Sequence, residues 1–188
     1  MDRYANHLKE IEHKLTIIED FISEEQCDDI LHFVSDKTFN DRASFSPNYG
    51  LKNEVGKYKS IGITQSNYPD FFNKHLNDKL VNGFSPYEIQ INKYEAGEYI
   101  PPHKDQGTSL YTVTVPLQTN KNNYLVFGDP NSFYNKVSVL ESDNKGMTKS
   151  FSDVKGRGYM FNGTNPIHWV PPTDSLRYSV IFIYSLPL

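Results

Sequence analysis

The chain has 188 residues, 37% of them hydrophobic and 14% aromatic, with a net charge of −4 at pH 7. That size suits one domain with a real core, and 13 Tyr and 12 Phe favour a β-dominated interior over a helical bundle. No cluster of Lys or Arg marks a nucleic-acid surface, and no apolar run approaches the ~20 residues a membrane helix needs, so neither partner is expected. In chain order, residues 2–13 are polar and mixed in charge, a short helix or a loose arm. Residues 14–22 carry Leu15, Ile17, Ile18, Phe21 and Ile22, a first strand running into a helix start. Ser23 and Gln26 form a capping-box pattern, after which Cys27, Ile30, Leu31 and Val34 fall on one helical face. Cys27 reads as a small buried hydrophobe, and as the only cysteine it permits no intrachain disulfide. With no apolar signal core after Met1, the expectation is a reducing, cytoplasmic setting.

Residues 39–59 are polar and broken by Gly and Pro, and read as long loops with an irregular hairpin near residues 49–58. Pro69 opens a second helix whose stripe is Phe72, Leu76 and Leu80, ending near Asn82-Gly83. His32 and His75, one on each helix, read as surface or rim residues. From Tyr87 the apolar period changes to two. Residues 87–94, 99–103, 111–117, 124–127, 133–139, 148–151, 158–161 and 177–184 read as strands, separated by turn residues such as Gly97, Gly107, Asn120 to Asn123 and Pro171-Pro172. Many short strands with helices ahead of them predict a mainly β, α+β fold: a jelly roll in which residues 1–86 supply support and residues 87–188 the core.

The chemistry concentrates in two stretches. His103 and Asp105 are two apart at the end of an extended segment, and residues i and i+2 of a strand share a face. His168 arrives from a later strand. Two His and one carboxylate on one face of a metal, with other positions open, is the donor set of non-haem Fe(II) oxygenases, although ligand type alone leaves zinc open. Arg177 follows His168 by nine residues at the head of an apolar strand. A guanidinium fork there suits the far carboxylate of a dicarboxylate whose other end chelates the metal. Its plainer reading is an ion pair with a structural acid such as Asp174. Ser179 shares the face of Arg177 and can donate to the same carboxylate.

With Tyr94-x-x-Gly97, His103-x-Asp105, His168 and Arg177-Tyr178-Ser179 in this order, the sequence resembles the Fe(II)/2-oxoglutarate dioxygenases, and within them the prolyl-4-hydroxylase-like branch. The run from Ile17 to Cys27 also resembles that branch's first strand and helix, so the likeness covers nearly the whole chain. The resemblance implies a double-stranded β-helix, with Fe(II) on His103, Asp105 and His168. It further implies that 2-oxoglutarate sits against Arg177, Ser179 and Tyr94, and that O2 is consumed as a C–H bond is hydroxylated with release of succinate and CO2. Thr112 and Thr114 share one strand face and are expected to line the same pocket. Asp105 points to hydroxylation, because related halogenases carry a small residue at that place. Trp169 faces away from His168 and reads as packing, while Tyr99 either caps the entrance or fills the rim.

The Gly-Gly-x-Thr-x-Phe stretch usual in prolyl-hydroxylase relatives is replaced here by Asn122-Asn123-Tyr124-Leu125-Val126-Phe127. Residues 128–157 are long and polar, resembling extra strands or a cap. These departures leave a peptidyl proline, a free amino acid or another small metabolite open as substrate. Three other readings stay on the table: a non-catalytic jelly-roll binding module, a nucleic-acid dealkylase of the same superfamily, which wants a basic groove, and a zinc hydrolase, which gives Arg177 no task.

Overall fold

Two antiparallel sheets facing each other form the frame. They are seen in a computed structural model that describes residues 15–45, 55–81, 83–103, 105, 111–128, 148–162 and 166–184. The strands are β1 (Leu15–Ile18), β2 (Asn40–Phe45), β3 (Val55–Ile63), β4 (Glu88–Tyr94), β5 (Ile100–His103), β6 (Tyr111–Pro116), β7 (Asn120–Gly128), β8 (Thr148–Asp153), β9 (Gly158–Phe161), β10 (Ile167–Val170) and β11 (Arg177–Tyr184). The helices are α1 (Glu24–Val34) and α2 (Pro69–His75). The larger sheet runs β1-β9-β6-β11-β4-β3-β2, the smaller β5-β10-β7-β8. This is the mainly β jelly roll that the sequence predicts.

Alternation along the strands sorts the two faces of the larger sheet. On β11, Val180, Phe182 and Tyr184 point outward and join Ile61, Ile63, Ile89, Ile91, Val113 and Val115 in one apolar layer. α1 covers that layer with Cys27, Ile30 and Val34, each all but fully buried. Burying a side chain of this kind is worth about 1.5–3 kcal/mol, so the layer is what holds α1 in place. Its start is fixed by the expected capping box: the Gln26 amide donates to Ser23 Oγ at 3.1 Å, and the Ser23 amide to Gln26 Oε1 at 3.2 Å. Phe21 meets Phe182 edge-on with ring centroids 5.4 Å apart. The opposite face of the larger sheet looks at the smaller one. Between them lie Tyr94, Ile100, Leu125, Phe127, Tyr159, Phe161 and Val170.

Several expectations change. The stretch read as loops over residues 39–59 contains β2 and most of β3, which extend the larger sheet beside β4. α2 ends at His75, and Leu80, assigned to its stripe, is exposed. His75 is buried at 7% exposure and faces Asp29 of α1 at 3.5 Å, so it ties the helices together and is not a rim residue. The Asn120–Asn123 turn lies inside β7, where the register with β8 shifts between Asn120 and Tyr124. The strand expected at 133–139 falls outside the described residues. Among the described residues no helix is long and apolar enough to cross a membrane.

Candidate metal centre and the pocket behind it

Strand pairing brings the two imidazoles together. β10 lies antiparallel to β5 with His168 directly opposite His103, and their ring centroids are 4.3 Å apart. Asp105 follows just beyond the end of β5. Its Oδ1 is 3.7 Å from His103 Nε2 and 3.5 Å from His168 Nε2. All three ligand atoms lie within 4.8 Å of one another, the metal-capable cluster found among the described residues. The sequence-predicted triad is thus assembled.

The surroundings aim the ligands. His103 Nδ1 lies 2.8 Å from the Pro101 carbonyl and His168 Nδ1 3.2 Å from that of Pro166. A carbonyl can only accept, so each Nδ1 carries the proton and each Nε2 keeps its lone pair toward the common point. Phe161 and Phe127 wall His168 at centroid distances of 4.6 and 5.9 Å. Thr112 Oγ1 donates to Asp105 Oδ2 at 2.7 Å, which leaves Oδ1 facing the imidazoles. Burial and the nearby His168 push the His103 pKa down to about 4, against the pull of Asp105, so the ring is neutral near pH 7. Burial alone would raise the Asp105 pKa. The two imidazoles and the Thr112 hydroxyl outweigh it and bring the carboxyl to about 2. Both groups rest in the protonation state a metal requires.

On the inner face of the larger sheet, cross-strand pairs gather a set of buried polar side chains. Arg177 lies opposite Tyr94, and Ser179 opposite Asn92. The Arg177 guanidinium sits 5.1 Å from the Tyr94 ring centroid. Tyr58 of β3 stacks on Tyr94 with centroids 5.8 Å apart. Burial raises the Tyr58 pKa, with Arg42 opposing and Asp105 adding to the rise. Burial likewise pushes Tyr94 up to about 12, despite Arg177, so its hydroxyl stays a donor. Thr114 is buried on the same face of β6 as Thr112. Trp169 is buried with Val126 and Ile167, away from the inner layer, in the packing role expected of it, and Tyr99 packs against that cluster.

Arg177 holds a partner the sequence reading did not name. Its Nε and Nη2 donate to Asp153 Oδ2 and Oδ1 at 2.6 and 2.9 Å. The acid is Asp153 at the end of β8, not Asp174, which binds Asn120 and Ser175. Burial works against the Arg177 charge, but Asp153 overrides it and raises the pKa. The bidentate edge foreseen for a ligand is therefore occupied by the protein. Among the described residues, Arg177 Nη1, Ser179 Oγ and Asn92 Oδ1 are buried without hydrogen-bond partners. A polar cleft of about 230 Å³, lined in part by Asn120, Asn123 and Ser175, opens onto the same ion pair.

These features fit the groups the sequence points to. Two imidazoles and one carboxylate offer a donor set with open positions. Orphaned donors at Arg177 and Ser179 await an acceptor, since a buried unpaired polar group costs about 1–3 kcal/mol. Asn92 and Tyr58 escaped the sequence reading, though Asn92 shares the strand face of Tyr94 by simple alternation. Asp153 left no local signal.

No family model and no curated protein sequence matches the chain. Solved structures do. HygX from Streptomyces hygroscopicus, with nickel and 2-oxoglutarate bound, aligns over 98% of this chain and 87% of its own, with a TM-score of 0.66 at 10% identity. A Pseudomonas putida prolyl-4-hydroxylase aligns over 98% and 99%, with a TM-score of 0.60 at 13% identity. A Trichoplax adhaerens prolyl hydroxylase in complex with a hypoxia inducible factor peptide aligns over 92% and 83%, with a TM-score of 0.58 at 15% identity. The chain has the fold of these structures, a double-stranded β-helix.

Proposed function

We propose that the protein is an Fe(II)- and 2-oxoglutarate-dependent dioxygenase that hydroxylates a C–H bond of an amino-acid or peptidyl substrate, a proline-like residue first. The observation that carries this reading is the convergence of His103 Nε2, His168 Nε2 and Asp105 Oδ1, with buried orphan donors of Arg177 and Ser179 in the pocket behind. His103, Asp105 and His168 would hold the iron. Tyr94, Arg177, Ser179 and Thr114 would seat the co-substrate, with Arg177 Nη1 and the Ser179 hydroxyl donating to its distal end. Iron and O2 supply the oxidising power that side chains lack. The protein's part is placement and exclusion of water: Tyr94, stacked on Tyr58, lies against the Arg177 guanidinium, and Phe127 and Phe161 pack against His168 and would keep that side dry. The substrate choice follows the prolyl hydroxylases of the same fold. A reducing, cytoplasmic setting suits both Fe(II) and the single buried cysteine.

The test is anaerobic addition of Fe(II) and 2-oxoglutarate to purified protein, followed by air. A visible metal-to-ligand charge-transfer band, then succinate, is expected, and the succinate yield read across proline and prolyl peptides identifies the substrate. No band and no succinate refutes the proposal.

A further inference from the structure

Arg177 and Asp153 are the only Lys, Arg, Asp or Glu side chains buried below a tenth exposure among the described residues, and they face each other. A guanidinium has five N–H donors. Asp153 takes the Nε–H and one Nη2–H, leaving the other Nη2–H and both on Nη1. The groups around that free edge are uncharged: Ser179, Asn92 and the Tyr94 phenol. The pocket end is therefore charge-balanced before any ligand arrives. A carboxylate entering it brings an uncompensated buried charge, and a buried charge without a full counter-charge is costly. An uncharged acceptor, such as an ester or amide carbonyl, collects the same hydrogen bonds without that cost.

We infer that Asp153 sets co-substrate selectivity through Arg177: the pocket takes 2-oxo acids with an uncharged, hydrogen-bond-accepting tail about as readily as it takes the dicarboxylate. Asp153 is a positioning residue here, touching the guanidinium and not the ligand. The inference rests on the dioxygenase reading above.

The experiment compares 2-oxoglutarate with its 5-methyl ester, which has the same chain but an uncharged tail. Dissociation constants are read anaerobically from the Fe(II) charge-transfer band and, without turnover, from the thermal shift of the Mn(II)-loaded protein. In the wild type the two acids should differ by less than about threefold, and in Asp153→Asn the dicarboxylate should tighten by about tenfold or more while the ester stays within about threefold, because the carboxylate that repels the ligand's own has left the far edge of the guanidinium. A purely structural Asp153 predicts the opposite sign, a loosened pocket that binds both acids worse. Wild-type discrimination beyond that bound, or weaker dicarboxylate binding in Asp153→Asn, overturns the inference and leaves the dioxygenase reading intact. Failure of both acids to bind overturns both. If Asp153→Asn does not fold, the wild-type comparison decides alone.

Discussion

Replacing Thr112 by Val tests how the metal centre is held. The hydroxyl sits 2.7 Å from Asp105 Oδ2 on a side chain only 2% exposed, so the hydrogen bond is short and charge-assisted. Such bonds contribute about 1.5–3 kcal/mol. The Asp105 side chain keeps 22% of its surface, so water can partly replace the lost donor, and the lower end of that range applies. At about 1.4 kcal/mol per decade this is roughly a tenfold loss of metal affinity. The loss arises because the carboxylate is free to turn Oδ1 away from the imidazoles. Backbone pairing of Thr112 with Ile183 and Phe161 is untouched by the change, so the metal-free protein should still fold, with a modestly lowered melting temperature. Anaerobic calorimetric titration with Mn(II) measures the constant, and Thr112→Ser, which keeps the hydroxyl, should restore it. A Thr112→Val constant within about twofold of wild type would show that the outer hydroxyl does not orient Asp105.

Three further outcomes are expected. Arg177→Met strands Asp153 at 2% exposure and should cost about 3–5 kcal/mol in urea unfolding, whereas adding Asp153→Leu should return most of it, because an apolar pair can replace a buried ion pair; no recovery in the double variant contradicts this. Gly156 has φ +78°, and a Cβ there would run into the carbonyl of Ile22, the residue whose own amide donates to Gly156 O. Gly156→Ala should thus lose about 2 kcal/mol or more by urea unfolding, and a loss below that refutes the strain argument. Cys27 is fully buried and burial pushes its thiol up to about 11, so a disulfide reagent should leave it untouched in the native protein and label it once urea unfolds the chain.

The features that could be read from the sequence are those carried by local pattern. Alternating strands such as β11, with one face on α1 and the other on the pocket, announce themselves. So does α1, through its cap and its stripe. His103 and Asp105 are two apart, close enough along the chain to converge although Asp105 lies just past the end of β5. β2 escaped because its first residues are mostly exposed on the sheet's outermost position, where nothing selects apolar side chains. β10 was missing from the run of strands because all four of its residues are buried, which erases alternation. Asp153 escaped for a different reason. Its meaning lies in a partner 24 residues away, across the gap between sheets, and no spacing rule encodes that distance. The sequence assigns Arg177 to a ligand carboxylate and offers a structural acid only as the plainer alternative, with Asp174 as its example; the partner is Asp153.

The proton on each metal-facing imidazole is placed by main chain, not by a neighbouring carboxylate. In both cases the acceptor belongs to a proline two positions upstream, Pro101 or Pro166. Every residue type carries that oxygen, so no exchange of side chains around the rings can reverse their tautomers. The nitrogen that each ring turns to the common point is thereby set by the main chain, whatever side chains line the walls around it.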